Sequence, residues 1–344
     1  MQASIRTDAS VRVGAGHVMR CLTLANELAS RGAETSFICR DVEGNLNKLI
    51  EENGFRVFTL PSEVDFITDC RLTEEYIKDR SLLTDLLIID QYDIDFEYES
   101  KLRGAAKKIM VIDDFPNKEH VCDIYLSQDY SMVRNTDLLP KDCMVLSGPD
   151  YILLRPQFQE TRIKYKRQYG RLNRILVFMG GADSKNLTYK VLKAITKIRR
   201  YDFLVEIVVG RLNSYTTKIE ELALKIPNSR LHLNVENMAE LMAVSDLSVG
   251  AGGTTIWERC CMGLASIVIV LDENQLETAK HLADNKAVVN LGWYEDVDEK
   301  DIRDAIESLM DNSVRIKEIG INGSKIIDGK GAERVVSKIY SHIN

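Results

Sequence analysis

Residues 85–90 read Asp-Leu-Leu-Ile-Ile-Asp, an apolar run that closes on an acid. A strand with one wetted face alternates polar and apolar residues, whereas an unbroken apolar run has a core on both sides, as strands inside a parallel sheet do. Parallel strands are joined through crossovers, usually helices, and the chain around this run alternates accordingly. Residues 3–8 predict a first strand, and residues 17–30 a helix with Val18, Cys21, Leu22, Ala25, Leu28 and Ala29 at helical spacing, ended by Gly32. Strands follow at 35–39 and 56–60 with a helical segment between them. After 85–90 come a helix over about 96–106, a strand at 108–112 and short strands near 123–126 and 144–146.

From Arg155 to Arg174 the chain turns polar and basic and reads as a connector with a helical part. The alternation then restarts, with strands expected at 175–179, 204–209, 230–233, 247–249, 266–270 and 287–290. Helices at about 299–310, 313–321 and 331–342 close the chain. At 344 residues the length exceeds one core and suggests two domains of about 100 to 200 residues each. The expected organisation is an N-terminal domain over 1–150, a linker over 151–173 and a C-terminal domain over 174–344. Fold class is α/β: two Rossmann-like domains facing a cleft, with ligands at the carboxyl ends of the strands.

Hydrophobic residues at 45% are ample for burial, and a net charge of −7 repels rather than gathers nucleic acid. The longest apolar runs, such as 265–271, fall short of the roughly 20 residues of a spanning helix. No basic-then-apolar leader opens the chain, so the expectation is a cytoplasmic protein without membrane partners. The seven cysteines are scattered, with no Cys-x-x-Cys pair, which supports neither a disulfide framework nor a zinc site and leaves buried reduced thiols. His120, His232, His281 and His342 lack metal-ligand spacing and read as packing or solvent-facing residues.

Three loops carry chemistry. Gly14-Ala15-Gly16-His17 follows the first strand and opens a helix, where backbone N–H groups can meet a ligand. It lacks the third glycine of a dinucleotide fingerprint. His17 falls in the first helical turn, where the positive end of the helix dipole disfavours imidazolium and keeps a nitrogen available as a base, or it is an ordinary helix-start histidine. Gly180-Gly181-Ala182-Asp183 and Gly250-Ala251-Gly252-Gly253-Thr254-Thr255 follow strands of the second half, and their glycines admit a diphosphate, with threonine hydroxyls adding donors in the second loop. Glu258 either accepts both hydroxyls of a ribose or closes a capping box with Thr255. Asn274 and Gln275 sit at another carboxyl-end loop, where amides can grip sugar hydroxyls or a water, or Asn274 can cap a helix. Asp90, Gln91 and Tyr92 end the strand of 85–90. Asp113 and Asp114 end the next, and aspartates so placed often cap loops.

Five stretches in this order carry a resemblance. They are Ile5-Arg6-Thr7-Asp8-Ala9-Ser10, Gly14 to Arg20, Gly148-Pro149-Asp150-Tyr151-Ile152-Leu153-Leu154-Arg155, Met179-Gly180-Gly181-Ala182-Asp183, and Asp328-Gly329-Lys330-Gly331-Ala332. Together they resemble the UDP-2,4-diacetamido-2,4,6-trideoxy-β-L-altropyranose hydrolases of pseudaminic acid biosynthesis, from end to end of the chain. That family is related to spore-coat polysaccharide proteins and to the UDP-N-acetylglucosamine transferase of peptidoglycan synthesis, whose Gly-rich loop and following glutamate resemble Gly252 to Glu258. The resemblance implies a glycosyltransferase B fold.

It also implies a reaction: metal-independent hydrolysis of the anomeric C–O bond with inversion, giving UDP and the free sugar, without a cofactor. His17 would be the catalytic base, with Tyr92 and Asn274 beside it. UDP would sit on the C-terminal domain, its uracil against backbone near Met238, its diphosphate at Gly252, Gly253, Thr254 and Thr255 and at the Gly180–Gly181 loop, and its ribose at Glu258. Gly16, Arg155 and Gln275 complete the implied substrate-binding set. A histidine often precedes the tyrosine in the family where this chain has Gln91. Two alternatives stand beside hydrolysis: transfer of the sugar to an acceptor other than water, and nucleotide-sugar binding without catalysis.

Overall fold

A computed structural model describes residues 1–11, 13–79, 84–115, 118–129, 136–200, 202–235 and 237–343. The chain divides into two compact units, Met1–Leu154 with Lys330–Asn344, and Arg155–Gly329.

The first unit runs β1 (Gln2–Thr7), α1 (Gly16–Ser30), β2 (Glu34–Arg40), α2 (Asn47–Glu52), β3 (Arg56–Leu60), α3 (Phe66–Asp79), β4 (Thr84–Asp90), α4 (Phe96–Leu102), β5 (Ala106–Ile112), β6 (Ile124–Ser127) and β7 (Met144–Ser147). Among the described residues its strands form one seven-stranded sheet in the order β3-β2-β1-β4-β5-β6-β7, every pairing parallel. The apolar run of β4 shows why alternation is missing. Leu86 and Ile88 enter the core that α1 covers, whereas Leu87 and Ile89 enter the core built with α3 and α4 on the opposite face. Helix α1 buries Val18, Cys21, Leu22, Ala25 and Leu28. It stops where Gly32 turns to φ +79° and Ala33 N–H reaches back to the Leu28 carbonyl at 3.1 Å, a glycine-terminated helix end.

The second unit runs α5 (Pro156–Lys164), β8 (Arg174–Phe178), α6 (Leu187–Thr196), β9 (Leu204–Val209), α7 (Thr216–Ala223), β10 (Ser229–Leu233), α8 (Met238–Val244), β11 (Leu247–Ala251), α9 (Thr255–Cys261), β12 (Ala265–Val270), α10 (Leu276–Asp284), β13 (Val289–Trp293), α11 (Glu299–Met310) and α12 (Ser313–Ile326). Among the described residues its strands form a six-stranded parallel sheet in the order β10-β9-β8-β11-β12-β13. In each sheet the strand order turns back on itself, between β1 and β4 and between β8 and β11, and the carboxyl ends of strands at such a point are where open α/β sheets take ligands.

The boundaries differ from the expected 1–150, 151–173 and 174–344 in two ways. The last helix, α13 (Gly331–Ile343), belongs with the first unit, because Ala332, Val335, Val336 and Ile339 lie in the same core as α1. Gly331 there has no room for a Cβ, which would stand 2.0 Å from the Ile152 carbonyl oxygen. Ile339→Ala is therefore expected to cost about 2–5 kcal/mol, read by urea unfolding. A loss below about 0.5 kcal/mol would contradict the placement of α13 in that core.

The basic stretch is the second difference: it is part of the second unit and not a linker. Arg162 donates to the carbonyls of Cys261 (3.1 Å), Ser324 (2.8 Å) and Ile327, and Arg167 to those of Met262 (2.7 Å), Ser245 (2.6 Å) and Met242. All six carbonyls lie at the carboxyl ends of α8, α9 and α12, where helices leave acceptors unpaired and favour positive charge. Positive charge that reads in sequence as part of a connector is holding three helix ends. Among the described residues no helix is long and apolar enough to cross a membrane.

Candidate functional site

In the first unit the switch point brings together residues far apart in sequence. The loop after β1 is tied by Gly14 N–H to the Ser10 carbonyl (2.8 Å) and by Val13 N–H to Ser10 Oγ (3.0 Å), with Gly14 at φ +84°. It delivers the chain to Gly16, the first residue of α1. Ala15 precedes the helix and offers it no side-chain cap.

His17 follows, 6% exposed. Its Nδ1 lies 2.6 Å from Asp90 Oδ1 at the end of β4. Arg20, one turn further along the same helix face, grips both oxygens of that carboxylate, Nη2 to Oδ1 at 2.6 Å and Nε to Oδ2 at 2.7 Å. Cys21 Sγ adds a contact to Oδ2 at 3.2 Å. Burial pushes the Asp90 carboxyl up, but the charges of Arg20 and His17 and the hydrogen bonds from both outweigh it and hold the group well below the usual carboxylate range. An ionised carboxylate only accepts, so His17 Nδ1 must be the donor. In the neutral imidazole the lone pair is then on Nε2, to which nothing bonds among the described residues.

Asp114, beyond β5, extends the network. Its Oδ2 accepts from Arg20 Nη1 (2.6 Å) and from the Tyr92 hydroxyl (2.8 Å), and its Oδ1 from Gln128 N–H (2.7 Å). The Tyr92 ring meets the His17 ring edge-on, with centroids 4.4 Å apart. Burial and the neighbouring Asp114 charge push the Tyr92 phenol far up, so it stays a hydrogen-bond donor. Two of the expected residues, His17 and Tyr92, thus stand side by side; the third, Asn274, belongs to the other unit. Asp113 does cap its loop, accepting from Phe115 N–H at 2.8 Å. Asp90 and Asp114, read in sequence as loop caps, instead orient a histidine and a tyrosine.

A second buried network adjoins this one. His120 is neither solvent-facing nor simple packing: its Nδ1 lies 2.7 Å from Glu99 Oε1 and its Nε2 3.5 Å from Asp113 Oδ2. Burial lowers its pKa, but hydrogen bonds and charge from Asp113 and Glu99 win and raise it to about 9. A raised histidine pKa stabilises the fold fully below its unfolded value of about 6.5. That contribution is lost as pH rises through about 9. The urea stability of wild type relative to His120→Gln is therefore expected to fall between those pH values, and a pH-independent difference would contradict it.

In the second unit the switch point carries Gly180, at φ +96°, beyond β8, and the glycine loop beyond β11. Gly181 accepts at its carbonyl from Leu212 N–H at 3.1 Å. Asp183 caps α6 through Leu187 N–H (2.8 Å) and Thr188 N–H (3.0 Å). Gly252 N–H is used by the Ile269 carbonyl at 3.1 Å, whereas those of Gly253, Thr254 and Thr255 make no hydrogen bond among the described residues. A Cβ on Gly252 would stand 3.1 Å from Gln275 Oε1. That oxygen accepts from Leu271 N–H at 3.0 Å, so Gln275 braces the loop from behind. Neither threonine caps α9 through its side chain.

Glu258 forms no capping box. Its Oε1 accepts from Arg155 Nη2 at 3.0 Å, while its buried Oε2 has no partner among the described residues. Burial pushes this carboxyl up, and the Arg155 charge offsets part of the shift. Gln157 ties the other side of Arg155 to α8, its amide oxygen accepting from Arg155 Nη1 (2.9 Å) and its nitrogen donating to Asn237 Oδ1 (3.0 Å). Asn237 caps α8 through Glu240 N–H at 3.3 Å, immediately before the buried Met238. Arg155, Met238 and Glu258 are therefore mechanically connected. Asn274 caps neither the short turn it sits in nor α10, and its buried Oδ1 is likewise unpartnered among the described residues. No group of three or more His, Cys, Asp or Glu residues is placed to hold a metal ion among the described residues.

The family model "Glycosyltransferase family 28 C-terminal domain" matches residues 174–328. MurG of Acinetobacter baumannii superposes with a TM-score of 0.70 at 16% identity, covering 99% of each chain, which establishes the glycosyltransferase B fold. The spore coat polysaccharide biosynthesis protein SpsG of Bacillus subtilis is 28% identical over 98% of this chain and 97% of its own length. The uncharacterised protein MJ1062 of Methanocaldococcus jannaschii is 29% identical over 80% of this chain, a match that spans 57% of that longer protein. The UDP-2,4-diacetamido-2,4,6-trideoxy-β-L-altropyranose hydrolase of Campylobacter jejuni is 30% identical over 82% of this chain and 96% of its own length. The chain belongs to the family of that hydrolase.

Proposed function

We propose that this protein hydrolyses a UDP-linked 2,4-diacetamido-2,4,6-trideoxy sugar at the anomeric C–O bond, releasing UDP and the free sugar for pseudaminic acid biosynthesis. The observation that carries the reading is the His17–Asp90 pair, 2.6 Å apart with Nε2 unengaged among the described residues. A histidine whose Nδ1–H is held by a buried carboxylate is oriented to take a proton at Nε2. In the reaction a water oxygen attacks the anomeric carbon as its proton passes to His17 Nε2. The bond to the diphosphate oxygen breaks with its electron pair, through an oxocarbenium-like transition state and with inversion.

UDP belongs on the second unit in this reading. The free N–H groups of Gly253, Thr254 and Thr255, with Gly180 and Gly181 nearby in the same sheet's switch point, suit a diphosphate. The bare Oε2 of Glu258 suits a ribose hydroxyl, and backbone beside Met238 suits uracil. Tyr92 flanks the base, and Asn274 offers an unpartnered oxygen to the sugar.

One observation favours a second reading. Val11 and Val13, in the loop that leads to His17, are 44% and 43% exposed, an apolar tip that an acceptor other than water could meet. Incubation with the UDP-sugar and no acceptor tests the choice. Hydrolysis gives stoichiometric UDP. No UDP release alone, with release restored by an added acceptor, would replace the first reading by the second.

A further inference from the structure

Arg259 in α9 is 1% exposed, and its guanidinium lies against Gly250 and Ala251 at the end of β11, next to the glycine loop. Its Nη2 donates to the Ala251 carbonyl at 2.5 Å, while Nε and Nη1 are buried with no partner among the described residues. No carboxylate lies within ion-pair distance of it there. Glu258, its neighbour in sequence, is already bonded to Arg155. The cluster of Arg155, Glu258 and Arg259 thus carries one positive charge in excess. Gly250 exists for this guanidinium: a Cβ there would stand 1.9 Å from Nη1 and 2.7 Å from the Phe178 carbonyl oxygen. Gly250, expected from the sequence to open the loop, is thus a β11 residue that admits an arginine, not a ligand. A buried cation with unmade hydrogen bonds is destabilising, and replacing it by an apolar side chain of similar volume is often neutral or stabilising. Its cost to folding suits a group kept for an anion.

We infer that Arg259 is a positioning residue for a nucleoside diphosphate, fixing the Ala251–Gly253 backbone and supplying buried positive charge beneath the phosphates. Two observations carry this together: the tight fit over Gly250 at the switch point of β8 and β11, and the unbalanced charge. Burial lowers the pKa of the guanidinium only to about 10, so it remains a cation at neutral pH. The inference rests on the reading that the second unit holds UDP.

The test compares UDP with uridine, which lacks the phosphates, by calorimetry on the full chain. Wild type, Arg259→Met, Arg259→Gln and Arg259→Lys are measured with their melting temperatures. Arg259→Met is expected to lose about tenfold in UDP affinity with uridine affinity unchanged and a melting temperature equal to or above wild type. Arg259→Lys, which keeps the charge, is expected to recover most of the loss. Arg259→Gln carries the same expectation as the Met variant if that variant fails to fold. A purely structural role would weaken both ligands together or lower the melting temperature without changing their ratio, and either result overturns the inference. Failure of the wild-type protein to bind UDP would overturn the nucleotide reading, and this inference with it. A wild-type preference for UDP that survives in the Met and Gln variants overturns this inference alone.

Discussion

His17→Leu is expected to lower turnover of the UDP-sugar by about three orders of magnitude, within the range a positioned general base contributes, while leaving UDP affinity within about twofold. The split follows from where the residues lie. His17 is built into the first unit, at the start of α1 and against Asp90, whereas the proposed UDP groups all belong to the second. Leucine fills similar volume, so the packing beside Tyr92 is retained while Nε2 is lost. Turnover by single-substrate kinetics and UDP binding by calorimetry read the two quantities independently. Near-normal turnover would remove the histidine from the mechanism. A parallel loss of UDP affinity would mean that His17 serves binding, not proton transfer.

Asp90→Asn has the second large expected effect, and it acts on two quantities at once. An amide can donate to His17 Nδ1 as well as accept, which permits the tautomer with its proton on Nε2, the wrong one for a base. The same change in a Ser-His-Asp triad costs about 10⁴ in turnover, and a loss of about 10³ is expected here, where no nucleophilic serine has to be activated as well. The carboxylate also holds Arg20 through two bonds of 2.6 and 2.7 Å in a buried site. Arg20 keeps its bond to Asp114 at 2.6 Å, so weakening the Asp90 pair is expected to cost about 1–3 kcal/mol in urea unfolding. Measuring kinetics well below the lowered melting temperature separates the two losses. Full activity in the folded variant would show that Asp90 merely anchors Arg20.

The fold was legible where the local pattern is also the global one. The run at 85–90 is apolar throughout because successive residues enter different cores on the two faces of one sheet, and that pattern needs no long-range information. The boundaries were not legible, since α13 is an ordinary amphipathic helix whose partner, α1, lies some three hundred residues earlier. Arg162 and Arg167 likewise read as part of a connector until the helix ends they hold are in place. At the site, His17 stood out because it opens a helix after a glycine loop. Asp90 did not, since an aspartate ending a strand commonly caps a turn, and its pairing with His17 spans 73 positions. The one local signal for it was the spacing of His17 and Arg20, three apart on one helix face. Gly250 reads in sequence as part of a loop that suits phosphate, but it lies in β11 and admits the buried Arg259.

Hydrolysis requires attack of water on the anomeric carbon, and isotope labelling follows that oxygen. Turnover of the UDP-sugar in ¹⁸O-enriched water, analysed promptly by mass spectrometry against an enzyme-free control for exchange at the reducing carbon, should place the label in the free sugar and leave UDP unlabelled. Label in the UDP, with none above the control in the sugar, would mean that the bond broken is the one to phosphorus, and His17 would not be the base for attack on carbon.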